Sequence, residues 1–170
     1  GEPHILSNGA RFYTPSPDFN ALFLLRHAAA HFAAERIGVR HLVDWALFLN
    51  HYSDKVDWRR FYHFAKEMNM HRFLNSINTI CSEQLGVDPS FLPEYTREPK
   101  LEKRVLEEIL HPGFNTPMPK GRTPMVYVWK LRRWTSNIWK NKIVYREGLL
   151  NQFFVLWMSH IFKPTLKNER

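Results

Sequence analysis

The sequence is poor in cysteine and in glycine, and each shortage excludes a class of protein. Cys81 is the only cysteine, so an internal disulfide and a Cys-rich zinc module are both excluded. The 7 glycines form neither a G-x-G-x-x-G nor a G-x-x-x-x-G-K pattern, which excludes the two common phosphate-binding loops. A single thiol also fits a reducing compartment, and we expect a cytoplasmic protein.

Long apolar runs are missing as well. The longest, residues 153–158, is far shorter than the roughly 20 residues that span a bilayer, and the N-terminus carries no signal-peptide pattern. We therefore expect no membrane partner. The oligomeric state is left open by the sequence.

Acidic residues are scarce in the last third of the chain. Residues 1–98 contain 10 Lys or Arg against 11 Asp or Glu, whereas residues 99–170 contain 14 against 5. This excess favours a polyanionic partner, because neutralising phosphates with Lys and Arg releases counterions. A solvated helix face would produce the same numbers, so both interpretations stay open.

Apolar spacing predicts a mainly α-helical fold, a bundle of six to seven helices after a short N-terminal β-hairpin around Asn8-Gly9. We expect one domain with four parts. These are a hairpin or remnant of a preceding α/β domain (1–16), a four-helix core (17–86), proline-rich connections with a short helix (87–124), and basic C-terminal helices (125–170).

Three details of this prediction are specific. Asp18 is expected to cap the first helix. The second helix, from Val39, is apolar nearly all round and is expected at the centre of the core. The penultimate helix should bury the stripe Tyr127, Leu131, Trp134 and Ile138, and a last helix should cover residues 149–162.

The run from Arg26 to His31 carries the most specific chemistry. His27 and His31 are four residues apart, the spacing of two metal ligands on one helix face, but Ala28 replaces the Glu of an H-E-x-x-H protease motif. Asp44 could add a third ligand, yet nothing in the sequence requires one. We therefore predict hydrogen-bonding histidines and no metal.

The same run resembles the R-x4-H signature of the HEPN ribonucleases. That resemblance implies phosphate contact by Arg26 and metal-independent acid/base catalysis by His31. Two further sets have a structural and a functional interpretation. Arg40 and Asp44 form an i,i+4 pair, either an ion pair or part of a site. Possible phosphate or nucleic-acid contacts, in a non-enzymatic binding module, are Lys130, Arg132, Arg133, Trp139 and Lys140.

A string of motifs resembles the C-terminal part of the uncharacterised bacterial nucleotidyltransferase family, relatives of the polymerase-beta-like enzymes. It consists of Phe12, the run 15–27, His31-Phe32, the run 40–45 and Asp57-Trp58. The resemblance implies an N-terminal α/β region whose Gly-Ser pair and carboxylates bind metal and NTP, followed by a helical region. It places five residues in the cleft facing that region, lining or buttressing it: Arg26, His27, His31, Arg40 and Asp44.

The sequence departs from the family pattern in one respect. It contains no Gly-Ser helix start and no D-x-D or D-x-E triplet on an apolar strand. We expect a fragment of a longer enzyme, or a protein that has lost its catalytic half, and the hairpin start with Gly1 favours a fragment. This chain alone should then be inactive, with Mg²⁺ and NTP bound only together with the missing catalytic region, and the acceptor unspecified.

Overall fold

The fold is mainly α-helical, which confirms the predicted class. A computed structural model describes residues 3–34, 37–114, 116–119 and 124–146, and these ranges contain two short strands and six α-helices. The elements are β1 (Pro3–Ile5), β2 (Arg11–Tyr13), α1 (Pro17–Ala34), α2 (Val39–Tyr52), α3 (Trp58–Glu67), α4 (His71–Leu85), α5 (Pro99–Leu110) and α6 (Pro124–Val144). The helix predicted over residues 149–162 lies outside the described residues. Within the described ranges, no helix combines the length and apolar composition that crossing a bilayer requires.

Strands β1 and β2 pair antiparallel and are connected by residues 6–10, in which Leu6 and Ala10 close a three-residue turn, 7–9. The Leu6 N–H donates to the Ala10 carbonyl oxygen and the Gly9 N–H donates to the Leu6 carbonyl oxygen, each at 2.9 Å. Gly9 has a φ of +82°, the left-handed conformation that a glycine bulge supplies in such loops. The Asn8 side chain accepts from the Ala10 N–H at 3.0 Å, so it stabilises the loop by its amide oxygen.

Helix α1 is capped by Ser16, so the prediction that Asp18 is the cap is wrong. Ser16 Oγ accepts a hydrogen bond from the Phe19 N–H at 3.3 Å. Pro17 occupies the first helical position, where its fixed φ fits and its missing N–H costs nothing, and this places the cap one residue before it. Asp18 instead accepts from the Asp57 N–H at 2.9 Å, which ties the start of α1 to the start of α3.

The most buried helix is α4, and not α2 as the sequence predicted. Residues 73–81 are all buried, whereas α2 exposes the aliphatic side chains of Val39, Val43 and Leu47 and the ring of Tyr52. Helix α4 contacts α2, α3, α5 and α6. The sequence concealed its position because four of its buried residues are polar: Asn75, Ser76, Asn78 and Thr79.

Hydrogen bonds allow these polar residues to lie in the core. Asn78 Oδ1 accepts from Trp45 Nε1 at 2.8 Å, and Asn78 Nδ2 donates to the Tyr62 hydroxyl at 3.2 Å. Thr79 Oγ1 lies 3.0 Å from the Tyr95 hydroxyl. One amide therefore joins α2, α3 and α4 at the centre of the bundle.

Helix α6 packs on α1 and α4 through its C-terminal half. Its buried residues are Asn137, Lys140, Ile143 and Val144. Tyr127 and Leu131 of the predicted core stripe are 70% and 52% exposed, so that part of the prediction is wrong. The physical reason is the burial of Lys140, which periodicity assigns to the surface. Lys140 pairs with the carboxylate of Glu108, so the face of α6 that carries Lys140 packs inward.

Candidate functional site

Three histidines from α1 and α2 meet at one place on the bundle. The imidazole centroids are 4.6 Å apart for His27 and His31, 5.3 Å for His27 and His41, and 4.8 Å for His31 and His41. One ring nitrogen from each histidine lies within 4.8 Å of the other two. Spacing along the sequence indicates the α1 pair but not His41, and the structure places His41, and not Asp44, as the third member of the cluster.

The local fold explains why the three rings meet. His27 and His31 are one helical turn apart on α1 and therefore share a face. Helix α1 ends at Ala34 and α2 begins at Val39, so the first turn of α2 lies beside the last turns of α1. A histidine in that first turn, ten residues after His31, is the sequence signal that would have indicated the third member.

Gly38 holds the His41 ring in place. His41 Nδ1 lies 3.3 Å from the Gly38 nitrogen and 3.3 Å from the Gly38 carbonyl oxygen. His41 is the third residue of α2, so its ring contacts the backbone of the residue that precedes the helix. The backbone engages Nδ1, which leaves Nε2 as the ring nitrogen that points away from the cap.

The surroundings of His41 favour its neutral imidazole. Burial lowers the pKa of His41, the hydrogen bond to Gly38 opposes that shift, and the neighbouring His31 and His27 lower it further. A carboxylate on the next turn, Asp44, acts in the opposite direction. Neutral imidazole is the form that accepts hydrogen bonds and binds metal ions.

Charged groups flank the histidine cluster. Arg26 is exposed on α1, one residue before His27, and shares its helix with half-buried His31. Arg40 Nε lies 3.9 Å from Asp44 Oδ2, with the Arg40 side chain 89% exposed. A pair this exposed contributes at most about 1 kcal/mol to stability, so the arginine can turn to another anion. The five residues predicted to line a cleft thus lie on α1 and α2, and the ribonuclease interpretation of Arg26 and His31 stays a prediction.

The basic stretch of α6 is less accessible than predicted. The Lys140 side chain is 5% exposed, its Nζ is 2.6 Å from Glu108 Oε1, and it lies 5.6 Å from the centroid of the Phe32 ring. Trp139 is half buried between the Phe32 ring and the Arg104 guanidinium, 3.9 Å away. Lys140 therefore joins α5 to α6 as an ion-paired cation, and its contact with a phosphate stays a prediction.

Two basic residues of α6, Arg133 and Lys140, line a cleft of about 650 Å³ between α5, α6 and the residues that follow α5. Arg133 lies 5.3 Å from the Trp129 ring centroid, and both residues line the cleft together with Phe114. Asn137 Oδ1 is buried there without a hydrogen-bond partner. Arg132 is exposed. Contact between Lys130, Arg132 or Arg133 and a phosphate stays a prediction.

Comparisons with known proteins identify one family. A protein-family model described as "uncharacterised nucleotidyltransferase" matches residues 2–86, which is half of the chain. The match runs from β1 to the end of α4, so it includes the histidine cluster and its flanking arginines. Neither the curated proteins nor the solved structures include a match to this chain.

Proposed function

Because the chain belongs to the uncharacterised nucleotidyltransferase family, we propose that α1 to α4 form the helical region that positions substrate for nucleotidyl transfer. The observation that carries this proposal is the extent of the family match, which coincides with the four helices and with the cluster of histidine and arginine side chains on α1 and α2. In this proposal, the carboxylates that bind Mg²⁺ come from a catalytic region outside this chain.

The chemistry of the reaction defines the task of the exposed arginines. Nucleotidyl transfer breaks the bond between the α- and β-phosphates of an NTP, joins the α-phosphate to an acceptor and releases pyrophosphate. Carboxylate-held divalent ions neutralise part of the triphosphate charge. Arg26 and Arg40 carry planar, permanently charged guanidinium groups suited to the remaining phosphate oxygens.

Exposed apolar side chains near these arginines support the proposal that another protein region covers this face of α1 and α2. Phe19 and Phe23 are 59% and 55% exposed and lie one turn apart on α1. On α2, Val43 is exposed one turn after Arg40, and Leu47 is exposed one turn after Val43. Large apolar side chains grouped at the surface mark contact areas. Because the chain belongs to a nucleotidyltransferase family, we infer that a catalytic region of the same enzyme covers this area.

The proposal is tested with the gene's complete reading frame and with this 170-residue chain side by side. We expect Mg²⁺-dependent incorporation of labelled nucleotide, or pyrophosphate release, from the complete protein and none from this chain alone. The variants R26Q and R40Q should raise the KM for NTP by about tenfold or more, since a hydrogen bond to a charged group contributes about 1.5–3 kcal/mol.

The matched control is R59Q, an exposed arginine of α3 whose replacement should leave the kinetics unchanged. Nucleotide turnover by this chain alone would contradict the claim that it needs a catalytic region. Unchanged KM values for R26Q and R40Q in the complete protein would contradict the placement of the substrate at α1 and α2.

A further inference from the structure

We propose that His27, His31 and His41 form a binding site for a divalent transition metal, with Zn²⁺ as the best match, in which three imidazoles leave one position open. The observation is the convergence of three ring nitrogens within 4.8 Å of one another. This inference does not depend on the proposed function, since it rests on three side chains and not on the family match.

The distances are compatible with a bound ion after small side-chain movements. Zinc binds imidazole nitrogen at about 2.0–2.1 Å in a tetrahedral arrangement, which places ligand nitrogens about 3.3 Å apart. The three nitrogens here need to approach by at most about 1.5 Å from their 4.8 Å limit. We expect rotation about the side-chain torsions of the three histidines to supply this approach.

The backbone provides an outer contact of the kind that orients metal-binding histidines. A metal ion on Nε2 of His41 selects the tautomer whose Nδ1–H donates to the Gly38 carbonyl oxygen, 3.3 Å away. Such a contact fixes the ring direction and makes the ligand nitrogen more basic. The other two ligands lie one turn apart on α1, a spacing that presents both rings to the same ion.

The donor set selects the class of metal. Imidazole nitrogens suit Zn²⁺, Cu²⁺ and Ni²⁺, whereas Mg²⁺ and Ca²⁺ require oxygen ligands. The ion proposed here is therefore distinct from the Mg²⁺ expected at the carboxylates of a nucleotidyltransferase catalytic region. Three protein ligands with an open fourth position resemble sites at which zinc binds water or a substrate oxygen.

The experiment titrates Zn²⁺ into the full chain in competition with a chromophoric chelator. We expect one tight site, and we expect H27A, H31A and H41A each to weaken it at least about 100-fold, because even outer contacts contribute about 10–100-fold. The matched control is H63A, an exposed histidine of α3 that lies 3.4 Å from Glu67 and should bind Zn²⁺ as the unmodified chain does.

A second measurement uses the unmodified chain and so does not depend on the folding of any variant. Addition of Zn²⁺ should shift the ¹⁵N NMR signals of the His27, His31 and His41 rings and leave those of the other six histidines unchanged. Circular dichroism confirms that each variant is folded before titration. The proposal is overturned if no stoichiometric site exists, if folded alanine variants retain full affinity, or if other histidines carry the shifts.

Discussion

Replacement of Lys140 by methionine should destabilise the protein strongly. The Lys140 and Glu108 side chains are 5% and 13% exposed and form a 2.6 Å contact between α5 and α6. Methionine retains most of the length of the aliphatic chain but removes the ammonium, so Glu108 becomes a largely buried charge without its cation. Breaking a buried pair from one side costs about 3–5 kcal/mol. That is a large part of the stability of about 5–15 kcal/mol typical of a domain.

Two further variants separate the ion pair from other effects of the substitution. K142M changes an exposed lysine on the same helix and should alter stability by no more than about 0.5 kcal/mol. The double variant K140M/E108Q removes both charges, and Gln can still accept the 3.3 Å hydrogen bond from the Gly113 N–H. We expect the double variant to be more stable than K140M, with a coupling energy of about 0.5–3 kcal/mol.

The assay is equilibrium unfolding in urea, followed by circular dichroism and tryptophan fluorescence. K140M should shift the midpoint to lower urea with an unchanged m-value, because the unfolded chain exposes the same surface. The interpretation is refuted if K140M and K142M differ by less than about 0.5 kcal/mol, or if the two charge removals are simply additive. Either result would mean that Lys140 faces water and is available to a phosphate.

Three shorter predictions concern the core and its ion pairs. W45F should cost at least about 1–3 kcal/mol in urea unfolding, because Asn78 Oδ1 loses a buried donor at 2.8 Å; an unchanged midpoint would contradict this. Burial raises the pKa of Cys81 to about 12, so a disulfide exchange reagent should label it only on unfolding, and rapid labelling of the folded protein would contradict its burial. Burial acts to raise the pKa of Glu102, but hydrogen bonds from Arg97 and a backbone N–H outweigh it, and the pKa is lowered. The resulting stabilisation of the folded protein is complete above the ordinary pKa of 4.5 and is lost as the pH falls through the pKa of the folded state. The variant E102Q should reduce this pH dependence when the urea midpoint is measured across acidic pH values, and an unchanged dependence would contradict the assignment.

Helix positions followed from local patterns where the local chemistry was sufficient. Asp57 is a residue type that favours the position before a helix, and its Oδ1 accepts from the Arg60 N–H at 3.0 Å. Gly86 ends α4 with a left-handed φ of +70°, which suits a residue without a Cβ. Both signals act within one turn of backbone, so no knowledge of the tertiary structure was needed to find them.

Burial was harder to predict because polar residues can be buried when they have partners. Asn and Lys are residue types found mostly at the surface, yet Asn78 and Lys140 lie in the core, each with a hydrogen-bonding or charged partner from another helix. Periodicity assigns buried faces by apolar character alone. It therefore predicted α2 instead of α4 as the most buried helix, and it predicted the wrong buried face for α6. The partners, Tyr62 and Glu108, are 16 and 32 residues away, beyond the reach of any local rule.

The sequence by itself determined the helical class, the family resemblance and the pair His27 and His31, since each depends on residue identity and short spacing. Only the tertiary structure decided that His41 joins this pair and that Lys140 leaves the surface. Both outcomes require two helices to pack at a particular angle and depth, and that geometry arises from contacts across the whole bundle.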